Sequence, residues 1–233
     1  IPAVRGVGGS VLRLLDSTSD LGRIWDVDFR TETAPEGAGI TAIDHIGQTM
    51  PYEEMLSSAL FYTAIFDARK APMIDLADPN GLVRSQAVQS GRLRVTLNGA
   101  ESIRTLAGRF VHETFGSSVQ HVALACADIF ATASTLAMRG FPVLEIGANY
   151  YDDVEARLGL DPALISRMRD ANVLYDEDEG GQFFQLYSRP QPDGFFLEIV
   201  QRTADYRGYG APNAAFRIAA QKRATLPAGM PKF

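Results

Sequence analysis

Cysteine is nearly missing from this chain: one, Cys126, stands among 233 residues. That excludes an intramolecular disulfide framework and suits a reducing cytoplasm, where the protein is expected to reside. No apolar stretch approaches the roughly 20 residues that a membrane-spanning helix needs. Basic runs are absent and the net charge is −6, which argues against nucleic acid and against a membrane surface as partners. The chain carries no initiating methionine and no signal peptide, so it is expected to be a fragment of something longer. Histidine is scarce, three in all, which makes the position of each one informative. What is present is ordinary: 46% hydrophobic and 21% charged residues, enough chain for one large or two small domains with a core.

The first 34 residues form an expected unit of their own. Val11–Leu15 and Arg23–Phe29 read as two strands, the second with Trp25, Val27 and Phe29 alternating against Asp26 and Asp28. Two strands alone are marginal in water, so they are expected to be the end of a sheet that begins elsewhere and to pair with something outside the repeat, in the same chain or a neighbour. Gly6-Val7-Gly8-Gly9 is rejected as a dinucleotide loop, because no strand is expected before it and no helix after it. A linker rich in proline, glycine and threonine, Thr31 to Gly39, closes the segment.

Two similar blocks follow, residues 35–115 and 116–233. In the first, a strand is expected at 40–48, then a helix at 52–66 with Met55, Leu56, Leu60, Tyr62 and Phe66 on one side. Strands follow at 72–76, 82–89 and 92–98, and a helix at 100–114 links to the second block. That block has a strand at 118–125 and a helix at 127–139 ending at Gly140. Strands at 142–146, 172–175, 182–188 and 194–201 complete it, with a largely helical insertion from Asn149 to Asn172. Both blocks read as strand, helix and three strands, an internal repeat that sets His45 and His121 at matching positions.

The last long apolar run, Gly194 to Arg202, carries Glu198 between Leu197 and Ile199. A carboxylate is costly inside an apolar strand unless something cationic receives it, although a lone glutamate on an alternating strand as often faces solvent. The two repeated histidines supply the partner. Two histidines and one carboxylate facing a cavity make the facial triad of non-haem Fe(II) enzymes, which leaves positions open for a bidentate substrate and oxygen. The same donors accept Mn, Co, Zn and, less well, Mg. His112, in a helical stretch, is expected to be exposed.

With these residues in view, the chain resembles the catalytic half of the 4-hydroxyphenylpyruvate dioxygenase family. The resemblance rests on Asp44-His45-Ile46, Val119 to Leu124, Asn149 to Asp153, Gln185-Leu186-Tyr187 and Phe196 to Arg202. It covers nearly the whole chain. The opening Arg5 to Ser10 and Trp25 to Phe29 resemble the last strands of the family's first, non-catalytic half. It is closer still to the C-terminal part of bacterial fusion proteins that join a 3-dehydroshikimate dehydratase barrel to a dioxygenase-like half, in which the dehydratase chemistry belongs to the barrel.

The resemblance implies an α+β protein, two βαβββ modules closing an open barrel around one divalent metal, the vicinal-oxygen-chelate fold. It makes His45, His121 and Glu198 the ligands and Fe(II) the metal. Catalytic roles fall on Gln120 and Gln185, and substrate contacts on Ser85, Asn98 and Phe196. The implied ligand is an aromatic or 2-oxo acid, bound through its carboxylate and keto oxygens. An upstream half or barrel is the implied partner, and a homo-oligomer is allowed. Leu106 stands where the dioxygenases carry glutamine, and Ala214 where they carry a phenylalanine over the pocket. These departures leave open a vestigial or regulatory metal-binding half, another enzyme of the superfamily, or a binding module for aromatic acids.

Overall fold

The computed structural model describes residues 1–16, 18–30, 32 and 36–225. Residues 31 and 33–35 of the Thr31–Gly39 linker lie outside the described residues. Two modules are built alike. In the first, β1 (Ile40–Pro51) leads into α1 (Tyr52–Phe66), then β2 (Ile74–Asp78), β3 (Gly81–Ser90) and β4 (Leu93–Ala100). A connecting helix, α2 (Leu106–Glu113), precedes the second module of β5 (Ser118–Cys126) and α3 (Ile129–Met138). The inserted helices α4 (Ala148–Leu158) and α5 (Pro162–Ala171) follow, then β6 (Leu174–Asp178), β7 (Gly181–Tyr187) and β8 (Phe196–Arg202). The chain returns over the sheet as α6 (Ala214–Ala224).

The strands make one continuous sheet whose two halves repeat the same order. β1 pairs in parallel with β4, and β4, β3 and β2 follow antiparallel. β5 pairs in parallel with β8, and β8, β7 and β6 follow antiparallel. The halves join where β1 runs antiparallel to β5, with Gly47 opposite His121 and His45 opposite Ala123. The expected α+β architecture of paired βαβββ modules is therefore what forms.

Each helix is placed by its apolar face. On α1, Met55, Ala59 and Tyr62 are buried against Met50, Val88, Val95 and Leu97, while Glu53 and Glu54 sit in the first turn, where the helix dipole favours acid. Leu56 and Leu60, expected on that face, are instead 68% exposed, because they fall on the far side of a 3.6-residue repeat from Met55, Ala59 and Tyr62. The α2 helix starts at Leu106 rather than near 100, since Thr105 caps it by accepting from the Gly108 N–H at 3.0 Å. Residues 142–146 do not form a strand: only the Val143–Ser188 bridge remains, as expected of a run opened by Pro142, which lacks a donor.

The N-terminal segment differs most from expectation. Ala3–Arg5 and Val11–Arg13 pair with each other as a short ribbon, and the 3-10 turn at Val7–Gly9 packs near α1. A strand does precede Gly6, but a single 3-10 turn follows it, so the glycine run remains no dinucleotide loop. Ile24–Asp28 is helical, not a strand. No sheet edge among the described residues meets it, so its backbone closes locally, with the Phe29 N–H donating to the Trp25 carbonyl at 3.2 Å. No described helix is long and apolar enough to cross a membrane.

Candidate metal centre

The seam between the modules positions the two histidines. His45 on β1 and His121 on β5 bring their Nε2 atoms to 3.4 Å of one another. Glu198, on β8 beside β5, sets Oε2 3.5 Å from His45 Nε2 and 3.8 Å from His121 Nε2. One ligand atom from each of the three lies within 4.8 Å of the others. Ligands about 2.1 Å from a shared centre stand about 3.0–3.4 Å apart, depending on the angle between them, so this triangle fits a transition metal. The donor set, two imidazoles and one carboxylate, fits as well.

The orientation of each ligand is held by a second layer of bonds. His45 Nδ1 is 2.9 Å from Asp44 Oδ1, which leaves the Nε2 lone pair facing the other ligands. Asp44 is in turn gripped by Arg202 at 2.9 Å and Arg94 at 3.2 Å. Burial opposes its charge, but the His45 ring and the Arg202 guanidinium hold the carboxyl far below the usual range. Burial likewise pushes His45 down, and the Asp44 and Glu198 carboxylates outweigh it, raising the ring to about 9. His121 has no such neighbour at Nδ1 among the described residues, and burial lowers it to about 3. Its ring stacks on Phe196, centroids 5.0 Å apart, and lies directly over Gly47.

Glu198 is fixed by a longer relay. Gln185 Nε2 donates to Glu198 Oε1 at 2.8 Å and to the Tyr187 hydroxyl oxygen at 2.7 Å. Its Oε1 accepts from Asn213 Nδ2 at 2.7 Å, and Asn213 Oδ1 accepts from the Tyr150 hydroxyl at 3.0 Å. Glu198 is buried, which opposes its charge, yet His45, His121 and the Gln185 amide hold it below its ordinary value.

The residues marked in the sequence divide into two groups. Ser85, Asn98, Gln120 and Phe196 line the cavity around the three ligand atoms, as do Leu106 and Ala214. Ser85 and Asn98 face each other across β3 and β4, and Gln120 Oε1 accepts from Thr49 at 2.7 Å. Gln185 is not among the lining residues: both sides of its amide are engaged in holding Glu198. His112 is exposed on α2. The supports Asp44, Arg202, Asn213 and Tyr150 were not singled out as site residues, although Asp44, Tyr150 and Arg202 lie inside the motifs that carry the resemblance.

Paired βαβββ modules curled into an open barrel, with three convergent ligand atoms inside, define a chain of the vicinal-oxygen-chelate fold. No protein-family model matches it. The chain is 40% identical over 228 residues to a 3-dehydroshikimate dehydratase of Pseudomonas putida, covering 96% of this chain and 36% of that protein. It is 29% identical over 221 residues to a 4-hydroxyphenylpyruvate dioxygenase of Pseudomonas aeruginosa, covering 91% of this chain and 61% of that one. Among solved structures it superposes on a xylose isomerase-like TIM barrel/4-hydroxyphenylpyruvate dioxygenase fusion protein. The TM-score is 0.80 and the identity 38%, over 97% of this chain and 36% of that one. The chain is a homologue of the 4-hydroxyphenylpyruvate dioxygenases and of the dioxygenase-like part of such fusions. It spans little more than a third of the length of the dehydratase.

Proposed function

We propose that this chain is a metal-dependent, dioxygenase-like module that holds one divalent metal, Fe(II), through His45, His121 and Glu198. Its ligand is an aromatic or 2-oxo acid. The observation that carries the reading is the triangle of ligand atoms on the inner face of the sheet, opening on a cavity lined by polar and aromatic side chains. When bound, the metal supplies a Lewis-acid centre with free positions for two substrate oxygens and, as Fe(II), the means to react with dioxygen. The protein's own contribution is to hold and orient. Asp44 keeps His45 in one tautomer, and the Gln185–Asn213–Tyr150 relay keeps Glu198 ionised and aimed. Ser85, Asn98 and Gln120 offer hydrogen bonds to a ligand in the cavity, and Phe196 supplies part of its apolar wall. The reaction would be oxidative decarboxylation with hydroxylation of the product.

A second reading is favoured by two cavity positions. Leu106 and Ala214 remove an amide and a ring from the wall that the related dioxygenases would use. A regulatory or vestigial metal-binding half of a longer dehydratase chain would show the same metal centre with no turnover. Anaerobic reconstitution with Fe(II), then oxygen uptake against a panel of aromatic 2-oxo acids and catechols, separates the two. One metal per chain, lost in His45→Ala, is expected under both, and uptake of oxygen with any panel member supports the first. A chain that takes up no metal overturns both.

A further inference from the structure

The cavity around the candidate metal centre has one wall with more hydrogen-bond donors than the protein uses. Arg217, on α6, lines it, with Cζ 5.0 Å from the Phe196 ring centroid and 5.7 Å from that of Tyr187. Its Nη1 donates to Gln221 Oε1 at 2.7 Å. Among the described residues its other nitrogens have no hydrogen-bond partner, and no carboxylate pairs with it. Tyr187 belongs to the same wall and is 4% exposed. Glu198 can only accept, so the Gln185 amide nitrogen must face it, and that same nitrogen bonds the Tyr187 oxygen. The Tyr187 hydroxyl proton is therefore left without an acceptor among the described residues.

Charge points the same way. Five ionisable groups other than tyrosines line the cavity: His45, Asp78, His121, Glu198 and Arg217. Asp78 is fully committed, to Lys222 at 2.5 Å and to the N–H groups of Asn80 and Leu106. Glu198 and Arg217 cancel, so a divalent metal would keep both its charges unbalanced by protein. A monoanionic substrate leaves one of them; a dianion leaves none.

We propose, resting on the metal-centre reading above, that the ligand of this cavity carries two acidic functions. One is a pair of adjacent oxygens for the metal, and the other is a separate carboxylate across a ring, received by Arg217 and the Tyr187 hydroxyl. Planar guanidinium suits bidentate binding of a carboxylate, and such charge-assisted bonds are the strong ones. The distances allow it. The His121 ring and the Arg217 guanidinium each lie 5.0 Å from the Phe196 ring centroid, so they are at most about 10 Å apart, within the reach of one six-membered ring with its substituents.

The test uses the protein loaded with Zn(II) or Co(II), titrated calorimetrically with two matched pairs. These are phenylpyruvate against 4-carboxyphenylpyruvate, and catechol against 3,4-dihydroxybenzoate. In at least one pair the extra carboxylate should tighten binding about 10- to 100-fold. That gain should shrink to within about threefold in Arg217→Gln, with metal stoichiometry unchanged, and be partly kept in Arg217→Lys. The pair that shows the gain identifies the chelating head as a 2-oxo acid or a catechol. Equal affinities within both pairs, or a gain that survives Arg217→Gln, overturns the proposal while leaving the metal centre standing. Failure of the wild-type protein to take up metal overturns the metal centre and this proposal with it. Should Arg217→Gln not fold, the wild-type pairs and Arg217→Lys decide.

Discussion

Replacing Gly47 by alanine should unseat the metal without touching a ligand. Gly47 lies on β1 directly opposite His121 on β5, and the imidazole packs flat against the space where a side chain would be. A Cβ at this position would stand 2.5 Å from Nε2 and nearer still to Nδ1 and Cε1. Contacts of about 3.5 Å are the norm, so the ring must retreat by about 1 Å or more. It has little room to do so, because its other neighbour is the Phe196 ring, stacked at 5.0 Å with an interplanar angle of 16°. Metal–ligand bonds tolerate errors of about 0.2 Å. The variant should therefore lose His121 as a ligand and weaken metal binding by at least about 100-fold, or about 2.8 kcal/mol. Strand backbone accommodates alanine, so secondary structure by circular dichroism should be unchanged. Competition against a chromophoric chelator measures the affinity. A folded Gly47→Ala protein that binds metal within about threefold of the wild type refutes the reasoning.

Asp44→Asn should weaken metal binding by about 10- to 100-fold, the usual effect of losing the partner of a ligating histidine, again read by chelator competition. It should also cost about 3–5 kcal/mol of stability in urea unfolding, because Arg94 and Arg202 lose their shared counter-charge. Asp78 predicts an acid-labile staple. Burial raises its pKa, but the Lys222 bond and two backbone N–H groups outweigh this and lower it from 3.8. Its contribution is thus present above the unfolded value and lost as pH falls from there through the folded one. Lys222→Met should be about 1–3 kcal/mol less stable than wild type at pH 7, with the gap closing toward pH 3 in urea midpoints. Leu106→Gln with Ala214→Phe should raise oxygen uptake with 4-hydroxyphenylpyruvate by tenfold or more, since an amide bond to a buried polar group is worth about 1–3 kcal/mol. No change in uptake in the double variant would mean that these two positions do not set substrate choice.

How far the sequence could be read depended on where each signal sits along the chain. His45 and His121 were legible because a repeated strand carries them at equal positions, and Glu198 because a carboxylate interrupts an apolar run. The strand–helix–strand order was legible for the same reason: period and turn residues are local. Trp25, Val27 and Phe29 misled because alternation marks a strand only where a neighbouring edge exists, and none meets them among the described residues. Leu56 and Leu60 misled because apolar residues on a helix also occur on its exposed face. The supports of the site were illegible as supports for another reason. Arg202 reaches Asp44 from 158 residues away, and Asn213 reaches Gln185 from 28. No local pattern announces such a bond, and Arg217 reads from sequence as one more surface cation.

The repeat that brings the histidines together is broken at one informative place. Since His45 and His121 are equivalent, so are Gly47 and Ala123, and the strands beside them pair Gly47 with Thr96 and Ala123 with Glu198. Thr96 is therefore the two-fold mate of Glu198. It is buried, lines the same cavity, and its hydroxyl has no hydrogen-bond partner among the described residues. A second acid there would complete a symmetric set of four protein donors and take one of the positions a ligand would use. With threonine instead, one flank is sealed by the carboxylate and its relay to Tyr150, while the flank facing β3 and β4 stays unfilled. The pseudo-symmetric duplication thus leaves the candidate centre with three protein donors rather than four, its unmatched side being the first module's, where Ser85 and Asn98 also line the cavity.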